Sequence, residues 1–573
     1  MDRVFRYLKP YYGQMIFGLI IKIAGTFADL GLPWVLAYIL DDVIPFGKIS
    51  YILLWGGIMV LLSIAARVLN IIANRMASRV ARNSVETIRH DTFERITNLS
   101  GAQVDKLTVP SLISRMTTDT YNVHQVIGMM QRLGVRAPII LVGGIVLTAT
   151  LDPILTLILI AILPLLGLLV YLISKRGIPL YTKVQASVDK MVQTIRENIS
   201  GIRVIKALSK TEYEKQRFRH VNDEVIGNEI KAASIMALSS PIMNLLLNTG
   251  LAIVVIVGAF RVNSGVTQPG KIVAFLSYFT MILNAMMMVT RLFINYSKAS
   301  ASAKRLKEVL DANEELIVTP IEVSKGQEEK YLAFDDVSFS YENDEEKLSL
   351  KNISFQLKKG ESLGIIGSTG SGKTTLIQLL MRFYDATEGQ IIIEGKDIRS
   401  IPLRKLREKF GVTFQNDIIF ADTIFENISF GRNLSMEQVI EASKDACAYG
   451  FIMEKENDFS YEAAIKGGNL SGGQKQRLYI SRALANHPKF LILDDSSSAL
   501  DYKTDAMLRQ AIRYNYQDTT IIMIAQRISS IMQSDHILVL EDGEMLGYGT
   551  HEELLKRCEV YHEIYESQMG SME

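Results

Sequence analysis

The most explicit chemistry in the chain lies in Gly367-Ser368-Thr369-Gly370-Ser371-Gly372-Lys373-Thr374, with Thr375 following. It has the spacing GxxxxGK[ST] and stands between a β-branched run at 362–366 and an apolar helical stretch at 375–383. Glycines let successive backbone N–H groups turn toward one anion, and the helix start adds its positive dipole end. In that setting Lys373 reaches the β- and γ-phosphates of a nucleotide, and Thr374 offers its hydroxyl to Mg²⁺. Residues 490–494 read FLILD, four apolar residues ending in a carboxylate. That is the pattern of a buried strand with an acid at its C-terminal edge, where open parallel sheets bind ligands. Asp494 is therefore the natural Mg²⁺ partner of Thr374. Leu470-Ser471-Gly472-Gly473-Gln474 adds a serine and two glycines at a helix start, again a phosphate-binding arrangement.

These residues need a sheet to hold them. From about residue 330, short β-branched runs (ESLGIIG, GQIIIEG, KFLILDD, TTIIMIAQ) alternate with helical patterns. The alternation predicts an α/β domain over 330–573 with a largely parallel sheet. The preceding 300 residues are different. Six apolar runs, at about 14–39, 52–72, 127–150, 154–174, 241–260 and 272–294, are each long enough to span a bilayer as a helix. Short connections join the first and second, third and fourth, and fifth and sixth. The other two connections exceed fifty residues and keep apolar residues at helical spacing, which suits helices continuing into water. They are rich in Lys and Arg, as is the N-terminus, whereas Asp41 and Asp42 follow the first span. The positive-inside rule places both termini and both long connections in the cytoplasm. The fold expected is thus an all-α, six-helix transmembrane domain over 1–313, a linker at 314–329, and the α/β domain.

Composition agrees with such a chimera: 573 residues, 48% hydrophobic and 21% charged, with mean hydropathy +0.17. A formal net charge of +1 gives no basic field for nucleic acid. The two cysteines, Cys447 and Cys558, form no CxxC or Cys/His cluster, so neither a disulfide scaffold nor structural zinc is expected. No cleavable signal peptide is evident.

The phosphate loop and LSGGQ together resemble the ATP-binding cassette (ABC) superfamily, and the six-span half resembles an ABC exporter half-transporter over essentially the whole chain. The resemblance implies two cassettes facing head to tail, with each ATP held between one chain's phosphate loop and the other's LSGGQ. It makes Tyr341 in VSFSY the aromatic that stacks on adenine. Gln415 in GVTFQ becomes the glutamine touching Mg²⁺ and the attacking water. Ser498-Ala499-Leu500-Asp501 becomes the loop crossing the dimer interface.

Two positions depart from the family. Members that hydrolyse ATP well carry Glu after the strand-ending Asp; here it is Asp495, shorter by one methylene. Where the family has a switch histidine, this chain has Gln526, which donates a hydrogen bond but never titrates. Both changes fall in the half-site supplied by this chain's own phosphate loop, while LSGGQ is intact. The asymmetry resembles heterodimeric bacterial exporters with one degenerate ATP site. This chain would bind ATP but hydrolyse it poorly, and complete its partner's hydrolytic site. A homodimer with two slow sites stays open.

The resemblance further implies short coupling helices near 101–109 and 209–214, and export of amphipathic drugs or lipids from a bacterial inner membrane. A peptide exporter and a non-transporting ABC regulator are the alternatives. Within the spans, Lys22 and Asp29 lie seven residues apart on roughly one helix face. A Met-rich stretch (Met281, Met286, Met287, Met288) with Asn284 and Arg291 marks the last span. Substrate contact and ordinary packing are both open for these residues.

Overall fold

The computed structural model describes residues 2–312, 316–321, 329–341, 347–496 and 500–570. They form two compact units, one of Met1–Thr97 with Pro110–Ala312, the other of Asn98–Val109 with Asn313–Glu573.

In the first unit, six helices among the described residues are long and apolar enough to cross a membrane. The first is Tyr12–Tyr38 and the second Ile49–Thr97. The third and fourth are Thr120–Leu151 and Pro153–Ser200, and the fifth and sixth Ser239–Asn263 and Pro269–Leu310. The second, fourth and sixth helices are longer than a bilayer crossing needs. The second helix runs unbroken for 49 residues, about 74 Å at 1.5 Å per residue. Leu53, Leu61 and Ile64 on its apolar half are exposed, as lipid-facing side chains are.

Aromatic and aliphatic side chains of the sixth helix, Phe275, Tyr278, Phe279 and Ile282, pack with Leu155 and Leu159 of the fourth and Leu30 of the first. The buried Tyr278 hydroxyl donates to the Leu30 carbonyl at 2.6 Å. At the other end of the first helix the winding loosens to a π-turn at Ile39–Val43. Asp41 there accepts from the backbone N–H groups of Gly270 and Lys271 at 2.6 and 2.9 Å. Those are donors that the start of the sixth helix cannot satisfy internally. Farther along, Arg305 of the sixth helix pairs with the buried Asp119, and Arg115 with Glu308 at 2.9 Å. In the last span Met281 and Met288 pack partly buried against core residues, while Asn284 and Arg291 are exposed.

The long connections break where short helices were expected, with one displacement. Gly101–Leu107 is a helix with Ser100 and Gln103 forming a reciprocal capping box. In the second connection the short helix is Ile202–Ala207, upstream of 209–214. Ser209 takes φ +54, which ends it, and residues 211–214 open the long helix Thr211–Ala237 instead.

The second unit carries two sheets. A four-stranded antiparallel sheet has the order β2-β1-β4-β5, from β1 (Leu332–Phe339), β2 (Leu350–Leu357), β4 (Glu388–Ile393) and β5 (Lys396–Asp397). A six-stranded sheet runs β10-β9-β3-β8-β7-β6. Its strands are β3 (Ser362–Gly367), β6 (Phe410–Thr413), β7 (Phe490–Asp494), β8 (Thr520–Ile524), β9 (His536–Glu541) and β10 (Glu544–Gly549). Every pairing in it is parallel except β9 with β10. All five residues of β7 are buried, the reason its sequence is continuously apolar rather than alternating.

Candidate functional site

The loop after β3 and the end of β7 open on the same C-terminal edge, separated by β8. Gly372 caps the helix Lys373–Leu380 at φ +99, a left-handed conformation that a side chain resists. Gly367 is fixed by space: a Cβ there would lie 2.0 Å from the Leu540 carbonyl oxygen. Lys373 folds over the loop, its Nζ donating to the carbonyls of Gly367 (2.9 Å) and Ser368 (2.6 Å) and to Ser371 Oγ (3.3 Å). Burial pulls its pKa down, opposed by the charges of Asp494 and Asp495. Ser368, Thr369, Gly370 and Thr374 are exposed, and Thr375 is buried.

Asp494 is 3% exposed. Burial, then repulsion from Asp495, pushes its carboxyl up, while a backbone N–H of Gln415 favours the charged form. The Gln415 side chain is exposed. Asp495 leaves the strand at φ +49, and its N–H donates to the Ile524 carbonyl at 3.0 Å. The two departures from the family pattern meet directly: Gln526 Nε2 donates to Asp495 Oδ2 at 3.1 Å. Gln526 is itself held from an unforeseen direction. Gln568, on the C-terminal helix Glu559–Met569, donates to the Gln526 carbonyl and accepts from the Ile528 N–H, each at 2.8 Å. Forty-two residues separate Gln568 from Gln526, and no sequence motif marks the pairing.

Tyr341 stands above the phosphate-loop helix. Its hydroxyl contacts Thr375 Oγ1 at 3.1 Å and donates to Gln378 at 2.5 Å. Tyr341 is 46% exposed. Edge-on against it, at 5.2 Å and 87°, is Tyr384, whose hydroxyl donates to Asp105 on the short helix Gly101–Leu107. Tyr384 is a second residue that sequence reading missed. A signal existed, since it follows the loop helix by four residues.

Leu470–Gln474 sits in a separate layer. Leu470 and Leu478 belong to a core with Ile424, Val439 and Phe451, whereas the phosphate-loop helix packs with β1–β4. Ser471 caps the helix Gly472–Leu484 in a reciprocal box with Gln474, and Gly472 and Gly473 form its first turn. Of the remaining loop, Ser498 and Ala499 lie outside the described residues. Leu500 packs against the same core, and Asp501 caps Tyr502–Asn515 through Thr504 N–H at 2.9 Å.

Two family models match the chain: the ABC transporter transmembrane region over residues 15–286 and the ABC transporter domain over 350–498. The uncharacterized ABC transporter ATP-binding protein YfiB of Bacillus subtilis is 35% identical over 576 residues, covering 100% of this chain and 99% of YfiB. The chain belongs to the ABC transporter family. The ATP-dependent lipid A-core flippase of Methylobacillus flagellatus is 32% identical to this transporter over 499 residues, 87% of this chain and 84% of the flippase. The structure of a bacterial Atm1-family ABC exporter with ATP bound shares its fold, with TM-score 0.82 at 24% identity and 99% coverage of both chains. The transporter is a multi-pass integral membrane protein of half-transporter build, and its α/β domain is an ATP-binding ATPase domain.

Proposed function

We propose that this transporter is one subunit of a heterodimeric ATP-driven exporter that moves amphipathic drugs or lipids out of the cytoplasm or inner leaflet. The observation that carries the reading is the Gln526–Asp495 hydrogen bond. It ties up an amide donor where the family has a titratable ring, and it holds a carboxylate one methylene short of the attacking water. Hydrolysis on this chain's own loop is therefore slow, and ATP binding persists through Lys373, Tyr341 and the loop amides. The Thr374 hydroxyl, the Gln415 amide oxygen and the Asp494 carboxylate form an all-oxygen donor set that suits Mg²⁺, and the buried Asp494 gains a counter-charge from it. When bound, Mg²⁺ neutralises charge on the phosphate oxygens. Leu470–Gln474, capped and intact, completes the partner's site, with Ser498–Asp501 at the cassette interface.

ATP drawing the cassettes together would move the helices Gly101–Leu107 and Ile202–Ala207, and with them the spans, between inward- and outward-facing states. Both termini lie in the cytoplasm of a bacterial inner membrane in this reading. Similarity to a lipid flippase favours a lipid-like cargo. The test is to purify the tagged chain from its native membrane in mild detergent. A stoichiometric second half-transporter with Glu and His at the positions of Asp495 and Gln526 supports the heterodimer. A self-dimer with robust ATPase overturns it.

A further inference from the structure

The apolar first helix buries a cation. Lys22 lies eight residues into the run that begins at 14, roughly 12 Å along the helix, and is 3% exposed. It does not snorkel. Its Nζ donates to Asn70 Oδ1 at 2.7 Å and Asn74 Oδ1 at 3.0 Å on the second helix. Asn70 passes the contact on, its amide donating to Asp29 at 3.2 Å, and Arg136 of the third helix reaches the same Asp29 oxygen at 2.9 Å. Arg132 lies one turn before Arg136 on the same face of the third helix, its Nε donating to the Gly128 carbonyl at 3.0 Å. Three cations thus face one carboxylate, and the buried Nε of Arg136 has no partner. Unbalanced charge at this depth is costly, and ionisable residues inside a membrane mark substrate paths by default.

The cluster continues into open space. Asn74, which holds Lys22, also lines a shallow cavity wide open to the surface, with the exposed Arg75, Arg79 and Arg82 and the half-buried His124. Among the described residues Arg75, Arg79, Arg82 and Arg132 make no ion pair. The three cavity arginines recur at spacings of three and four, so they stack on one helix face. A cationic ladder therefore leads from the cavity to a buried site short of negative charge, beside lipid-facing helices.

We propose that this cavity and the Lys22–Arg136 cluster bind the anionic headgroup of a lipid as the transporter's cargo. The proposal rests on the exporter reading and narrows its substrate class. The arginines of the cavity meet the headgroup first, and Lys22, Arg132 and Arg136 hold it after entry while the chains stay in the lipid-facing region.

The experiment uses the full chain with whatever partner copurifies, reconstituted in vesicles. ATP-driven movement of headgroup-labelled phosphatidylglycerol, labelled phosphatidylcholine and a cationic dye is compared. Variants are Arg75→Gln/Arg79→Gln/Arg82→Gln and, separately, Lys22→Gln and its charge-keeping control Lys22→Arg, each checked for monodispersity and thermal midpoint. Phosphatidylglycerol should move fastest. Lys22→Gln should cut that by about 5-fold and the triple variant by ~10-fold or more, in line with about 1 kcal/mol for each cation near a lipid surface. Lys22→Arg should restore it, and dye movement should not follow the charge removed. Equal rates for the two lipids, or dye movement without phosphatidylglycerol movement, overturn the inference and leave the exporter reading standing. Competition by millimolar inorganic phosphate, with no dependence on the lipid, overturns the lipid assignment in favour of a simple anion site. If no amphiphile of any charge moves with ATP, the exporter reading itself fails.

Discussion

Changing Asp495 to Glu is the sharpest probe of the nucleotide site. The added methylene advances the carboxylate by about 1–1.5 Å, beyond the oxygen that now accepts from Gln526 at 3.1 Å. A displacement of ~1 Å at a reacting group is worth on the order of 100-fold in rate, or about 2.7 kcal/mol in the barrier. The exchange has a backbone cost. Residue 495 sits at φ +49, which Asp tolerates better than Glu. A penalty near 1 kcal/mol should lower the thermal midpoint by about 2–4 °C for a domain of this size. The assay is single-turnover hydrolysis of γ-labelled ATP by the purified complex carrying Ser471→Arg. In the proposed heterodimer that substitution would disable the signature offered to the partner's site, so the remaining turnover would report this chain's own loop. Asp495→Glu alone should raise the rate by on the order of 100-fold, and adding Gln526→His should raise it further. An unchanged rate with normal ATP binding would refute the view that side-chain length limits this site.

Three further outcomes are expected. Ser471→Ala removes the cap from the helix Gly472–Leu484 and should destabilise the domain by about 1 kcal/mol, seen as a lower thermal midpoint together with reduced steady-state ATPase. Gln568→Ala deletes two hydrogen bonds to the segment 526–528, each about 0.5–1.5 kcal/mol. Hydrogen exchange at the Ile528 amide should then accelerate by ~10-fold, while β3 and β7 stay protected. Burial pushes the Cys447 thiol up, so less thiolate exists at any given pH. Iodoacetamide labelling followed by mass spectrometry should find it slow at pH 8, with its rise displaced above the ordinary thiol range near 8.5.

Local features were legible in the sequence because they are set by neighbours a few residues apart. The phosphate loop, the FLILD strand, the capped signature helix and the apolar runs are all of this kind. The short helix at 101–107 was expected near 101–109 from the family resemblance, and the structure shows Ser100 and Gln103 capping it. Its counterpart at 202–207 was not legible, since what ended it was the left-handed turn at Ser209, a conformation with no glycine to advertise it. Pairings across helices were hidden for another reason. Lys22 with Asn70, Gln526 with Gln568 and Tyr384 with Asp105 join residues 42 to 279 positions apart. Only packing decides such contacts. Lys22 and Asp29 could be put on one face by helical arithmetic, but the asparagine bridging them could not be named.

The first and sixth helices are fastened at two depths, by Tyr278 to the Leu30 carbonyl and by Asp41 to the amides of Gly270 and Lys271. Two such rivets make the pair a single strut rather than two independent rods. Any rocking of the bundle must then be taken up along other seams, and the π-turn at Ile39–Val43 carries Asp41, the second rivet. A covalent staple between the two helices should therefore leave the transport cycle running, because it would join parts that already travel together.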